Sequence, residues 1–145
     1  MNLDTESTVR TLVADGKAAN PYLPHNYVPD TVVYTGTHDN PTTRGWYEAL
    51  SDEQQRNVWR YLDRAGGAAS EVAPALMRLA WESAAALAIV PLQDLLNVGN
   101  EARMNVPGRA EGNWRWRCTE EMLCTRPFEW LRDLTNMSGR SQGEC

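Results

Sequence analysis

The chain has 145 residues, a net charge of −5 at pH 7 and a pI near 5.0, enough length for one domain with a core and an acidity that argues against nucleic acid or an anionic membrane as partner. No apolar run approaches the roughly 20 residues that span a bilayer, and the acidic start Met1-Asn2-Leu3-Asp4-Thr5-Glu6 is unlike an export signal. The three cysteines, Cys118, Cys124 and Cys145, are odd in number and lack CxxC spacing, so neither a disulfide framework nor a metal site is expected and a reducing compartment fits best.

In chain order, residues 1 to 20 show little periodicity beyond a short helix expected over Thr8 to Val13, and read as weakly ordered. Asn20 to Asp30 packs three prolines among aromatics, which excludes a helix and predicts an ordered, turning segment. A strand is predicted over Thr31 to Gly36, followed by the polar tip Thr37-His38-Asp39-Asn40 that Pro41 closes. Thr43 to Glu48 begins a helical turn. Ser51-Asp52-Glu53-Gln54 has the form of a capping box and starts a helix expected to run past Leu62 to Gly66-Gly67. Ser70 to Pro74 opens another helix, with Leu76, Leu79, Ala80 and Ser83 at helical spacing and predicted to pack on a sheet.

Ala88 to Leu92 reads as a short buried strand ending at a second polar tip, Gln93-Asp94. Strand, tip, helices, strand and tip make a βαβ unit with parallel strands. Beyond it a loop is predicted through Gly108, an extended segment over Gly112 to Arg117, a short helix from Thr119 and a last helix over Pro127 to Asn136 closed by Ser138-Gly139.

A carboxylate and an imidazole side by side at the carboxyl end of a strand are placed as catalytic groups are in α/β barrels. For an isolated His38-Asp39-Asn40 the ordinary alternative is that Asp39 and Asn40 close a turn and His38 is structural. Six Trp and five Tyr against one Phe supply apolar faces with hydrogen-bonding edges suited to sugars or bases, although any single one also fits a core or rim.

Five co-linear blocks decide between these. Asn20-Pro21-Tyr22-Leu23-Pro24-His25-Asn26-Tyr27, Tyr34 to Asn40, Pro91-Leu92-Gln93-Asp94-Leu95-Leu96, Glu101-Ala102-Arg103-Met104-Asn105 and Gly112-Asn113-Trp114-Arg115-Trp116-Arg117 resemble, in order and spacing, the C-terminal third of the amylomaltases. These are the 4-alpha-glucanotransferases or disproportionating enzymes, glycoside hydrolase family 77 of the α-amylase clan. The resemblance covers about residues 20 to 135.

The resemblance implies an α/β fold comprising the C-terminal strands and helices of a (β/α)8 TIM barrel, incomplete in this chain. The implied organisation is a weakly ordered non-barrel N-terminus (1–19), the C-terminal part of the catalytic barrel (20–138) and a frayed tail (139–145). Such enzymes transfer a segment of a 1,4-alpha-D-glucan to the 4-hydroxyl of glucose or another glucan, with retention through a covalent glycosyl-enzyme. The resemblance assigns Asp39 the role of transition-state stabiliser and His38 a hydrogen bond to the same sugar ring, with Asn105, Asn40 and Arg103 binding substrate. Asp94 and Arg103 would serve equally as loop struts. Nucleophile and general acid/base are implied on earlier strands.

The resemblance further implies no cofactor, α-1,4-glucans as partners without nucleic acid or membrane, and a cytoplasmic location, or a plastid one in a plant or alga. Nothing before Thr31 reads as a barrel strand, so a fragment inactive alone is expected. An open edge of Val32, Val33 and Ile89 would then favour self-association. The alternatives are a non-catalytic glucan-binding or complementing module, and a small hydrolase using Asp39, His38 and Glu101.

Overall fold

A computed structural model of the chain describes residues 5–8, 24–123 and 125–141. Their frame is a three-stranded parallel sheet in the order β1 (Thr5–Thr8), β2 (Thr31–Tyr34) and β3 (Leu87–Ile89). Thr5 pairs with Thr31 and Thr8 with Tyr34; on the other side Val32 pairs with Leu87 and Tyr34 with Ile89. The strand at Thr5–Thr8 was not predicted, because Thr-Glu-Ser-Thr carries no apolar alternation and its place is set by the ladder it adds to β2. The helix expected over Thr8 to Val13 has its first residue in that strand, and the remainder lies outside the described residues.

Among the described residues five α-helices accompany the sheet: α1 (Thr43–Glu48), α2 (Asp52–Tyr61), α3 (Ala69–Glu82), α4 (Leu92–Leu95) and α5 (Thr125–Met137). Ser51 and Gln54 form the predicted capping box of α2. This helix ends earlier than the glycines suggested. Asp63 turns left-handed with φ +54°, and Arg64 N–H donates to the Trp59 carbonyl at 2.9 Å while Asp63 N–H donates to the Arg60 carbonyl at 3.1 Å. This is a Schellman closure, with an aspartate tolerating the conformation that glycine usually supplies.

Pro74 lies inside α3 and leaves the Ser70 carbonyl without its helical donor. Asn97 supplies one from outside the helix, its Nδ2 donating to Ser70 O at 2.6 Å.

One apolar cluster joins Val33 of β2, Tyr47 of α1, Val58 and Trp59 of α2, Val72, Leu76 and Ala80 of α3, and Leu134 of α5. Within it Trp59 Nε1 donates to Tyr47 Oη at 2.6 Å, so a buried indole and phenol satisfy one another. Arg140, inside the tail expected to fray, donates to the Trp81 and Ser83 carbonyls at 2.6 and 2.8 Å and closes the C-terminal end of α3.

The expected exposure of the sheet is corrected at β2 and holds at β3. Val32 and Val33 are buried, with β2 between β1 and β3 and Val33 in the apolar cluster with the helices, whereas Leu87 and Ile89 are exposed. Pro91 ends the strand earlier than predicted and caps α4, so Leu92 is helical. Gly112 to Arg117 is a loop rather than an extended segment, with Gly112 at φ +85° and Trp114 at φ +60°. The short helix expected from Thr119 is a single 3-10 turn, Glu120–Met122.

Candidate functional site

The polar segment after β2 and the loop after α4 meet at the carboxyl ends of the parallel strands, where α/β sheets place their ligand sites. Their foundation is Asp94, a carboxylate that is 2 % exposed. It accepts from Thr35 Oγ1 at 2.6 Å, Thr43 N–H at 2.7 Å and Thr43 Oγ1 at 2.7 Å. The end of β2, the first residue of α1 and the helix α4 are thereby tied at one point. The strut role expected as one option for Asp94 is the one these contacts describe.

The segment Thr37–Asn40 is closed by Asn40, whose Oδ1 accepts from Thr37 N–H at 2.9 Å and Thr37 Oγ1 at 3.0 Å. This is the turn-closing role that Asn commonly takes. Thr42, further on, caps α1 by accepting from Gly45 N–H. A Cβ at Gly45 would lie 2.7 Å from Asn100 Cβ, so only glycine lets α1 and the 3-10 turn Asn100–Ala102 approach this closely.

That turn delivers Arg103 and Asn105 to Asp39. Asn105 Nδ2 donates to Asp39 Oδ1 at 2.6 Å, and Asn105 N–H to the His38 carbonyl at 3.1 Å. Arg103 donates from Nη2 to the Asp39 carbonyl at 2.7 Å and from Nε to the Asn105 carbonyl at 2.8 Å. Its contacts among the described residues are thus those of a clamp between two loop backbones. His38 Nε2 lies 3.3 Å from Asp39 Oδ1, and both side chains are about half exposed, at 58 % and 47 %. A depression of about 110 Å3 beside them is bounded by Thr37, His38, Asn40, Pro91, Asp94 and Arg103, among others.

Glu101, the carboxylate considered for a small hydrolase, folds back on its own turn, with Oε1 accepting from Gly99 N–H at 2.9 Å. Among the described residues no hydrogen bond or ion pair joins it to His38, Asp39 or Asn105. Trp114, not among the predicted site residues, stands beside His38 with ring centroids 5.3 Å apart. The Asn-Trp pair following a glycine was the available signal, since Gly-Asn marks a turn able to present the next side chain.

The family model of the 4-alpha-glucanotransferases, glycoside hydrolase family 77, matches residues 7–123. The chain belongs to this family. Its 4-alpha-glucanotransferase relative from Thermus thermophilus is 50 % identical over 131 residues, covering 87 % of this chain and 26 % of that protein. The relative from Aquifex aeolicus is 46 % identical over 119 residues, covering 82 % and 24 %. The amylomaltase from Streptococcus agalactiae, solved in complex with acarbose, superposes with a TM-score of 0.85 at 30 % identity, covering 94 % of this chain and 27 % of that one. The chain therefore spans about a quarter of the length of these glucanotransferases. The family match contains all five sequence blocks whole and begins well before residue 20. Among the described residues no helix is long and apolar enough to cross a membrane.

Proposed function

We propose that this chain forms part of the catalytic barrel of a 4-alpha-glucanotransferase and supplies the carboxylate of Asp39 as its transition-state stabiliser. In retaining transfer a carboxylate nucleophile displaces the leaving glucan while a carboxylic acid protonates it; the carboxylate so formed then takes the proton of the acceptor 4-hydroxyl, whose oxygen attacks the anomeric carbon from the face the leaving glucan vacated and releases the nucleophile carboxylate. Both of those groups come, in this proposal, from segments other than these 145 residues. Asp39 accepts hydrogen bonds from sugar hydroxyls, and these shorten as the ring flattens and gains positive charge. His38 donates to the same ring.

The observation that carries this proposal is the hydrogen bond from Asn105 to Asp39 Oδ1 at 2.6 Å, on a residue whose backbone Arg103 also holds. A carboxylate can accept about four hydrogen bonds, so Asp39, with its side chain 47 % exposed, keeps capacity for a ligand while its rotamer is held. The acarbose complex of the Streptococcus agalactiae relative supports a carbohydrate as that ligand. Asn40 and Arg103 shape the loop, and Asn105 both orients Asp39 and borders the sugar.

The test replaces the matching quarter of the Thermus thermophilus enzyme with this chain and follows glucose release from maltotriose. The chimera should disproportionate maltotriose, and Asp39→Asn should lower kcat about a thousandfold with KM nearly unchanged. The 145-residue chain alone should release no glucose. An active Asp39→Asn chimera would exclude the stabilising role, and glucose release by the chain alone would show that the other two carboxyl groups are not needed from elsewhere.

A further inference from the structure

Trp114 is a bulky residue with φ +60°, in the left-handed region that such side chains rarely adopt. Strain of this kind persists where the surroundings impose it, and here they do. Trp114 N–H donates to the Met104 carbonyl at 2.7 Å. The preceding Asn113 accepts from Val106 N–H at 3.0 Å through Oδ1 and donates to the Arg109 carbonyl at 2.9 Å through Nδ2. The loop is thus bound to the same segment that carries Arg103 and Asn105.

For that backbone cost the ring gains only partial burial within this chain. Trp114 is 51 % exposed, while Trp59 and Trp81, which build the core, are 3 % and 7 % exposed. Its neighbour is His38, tilted 34° to it at 5.3 Å, and His38 in turn lies 3.3 Å from Asp39 Oδ1. An indole about half exposed beside polar side chains matches the mixed surface of a glucosyl ring, which has apolar C–H faces and a hydroxyl rim.

We propose that Trp114 is the stacking platform for a glucosyl unit of the bound glucan adjoining the one that Asp39 holds, and so helps to set substrate affinity. This rests on the function proposed above and adds a contact that Asp39 does not make. The left-handed backbone provides an unusual test, because Trp114→Gly removes the ring and relieves the strain together.

In the chimera, Trp114→Gly should raise KM for maltotriose roughly ten- to hundredfold, change kcat less than about threefold, and leave the melting temperature unchanged or higher. Trp114→Phe should recover most of the affinity. An unchanged KM overturns the platform, and a fall in melting temperature together with equal losses in kcat and KM would make Trp114 a packing residue. Asp39→Asn, run in parallel, separates the two proposals: if it retains turnover the site assignment fails, whereas loss of turnover there with unchanged KM in Trp114→Gly sinks the platform alone. A second measurement uses the intact 145-residue chain. Oxidative footprinting read by mass spectrometry should find Trp114 oxidised and maltoheptaose protecting it, and no protection at saturating maltoheptaose counts against the platform.

Discussion

Asp94 and Thr43 are joined twice, through the Thr43 N–H to Oδ1 and the Thr43 Oγ1 to Oδ2, each at 2.7 Å, in a place from which water is excluded. With Thr35 Oγ1 donating to Oδ2 at 2.6 Å, the carboxylate draws donors from both Thr35 and Thr43. Asp94→Ala removes the acceptor that Thr35 and Thr43 share and should destabilise the chain by about 3–5 kcal/mol. Asp94→Asn keeps an acceptor for the Thr43 N–H, and both hydroxyls can turn to accept from the amide, so about 1–2 kcal/mol is expected. Urea midpoints compare the two; equal costs would mean that the hydrogen bonds are not what holds this junction.

Arg103 and Asn105 should affect catalysis without touching the bond that breaks. In the chimera, Asn105→Ala should lower kcat/KM about ten- to hundredfold, since Asp39 loses its orienting donor. Arg103→Lys should be nearly as poor as Arg103→Ala, because one ammonium on a flexible stem does not reproduce a planar fork bridging the Asp39 and Asn105 carbonyls. Full activity in Arg103→Lys would indicate that only positive charge matters there.

Glu71 gives the α3 start a pH dependence. The Arg64 guanidinium at 2.6 Å, and next the Ala68 N–H at 2.8 Å, hold its carboxyl below its ordinary value near 4.5. A carboxyl whose folded pKa is depressed stabilises the fold above the unfolded value and loses that contribution as pH falls through the folded one. The stability gap between the native chain and Glu71→Gln should therefore be present at pH 7 and close as pH drops below about 4.5. Its side chain is about half exposed, at 46 %, and screening by solvent keeps the gap small. A gap independent of pH in urea melts would assign the effect to something other than ionisation.

The outer strand β3 presents Leu87 at 46 % and Ile89 at 37 % exposure, with a backbone edge that among the described residues pairs only with β2. Parallel strands are ordinarily covered on both faces, and apolar edges template association. Sedimentation of the chain should show concentration-dependent self-association and binding of a hydrophobic dye, both reduced in L87K/I89K. A monomeric native chain that binds no dye would mean that this edge is too short to act.

The local parts of the structure were open to reading because their causes are local. Ser51 and Gln54 lie one turn apart, and Thr43 to Glu48 and the polar run after Val33 keep their meaning in a short window. The family blocks extended that to the roles proposed for Asp39 and His38. What the residues alone did not disclose depends on distance along the chain. Thr5–Thr8 is a strand only because β2 offers it a ladder, and the Ser70 carbonyl freed by Pro74 finds Asn97 through packing of α3 against the loop. Asn105 reaches Asp39 across 66 residues of chain. Sequence determined the chemistry at each strand tip, whereas only the tertiary structure decided which of those groups would meet. A hydrogen bond of 2.6 Å needs two backbones fixed within a fraction of an ångström, and here that is the work of parallel strand register, the Asp94 junction and the missing side chain of Gly45.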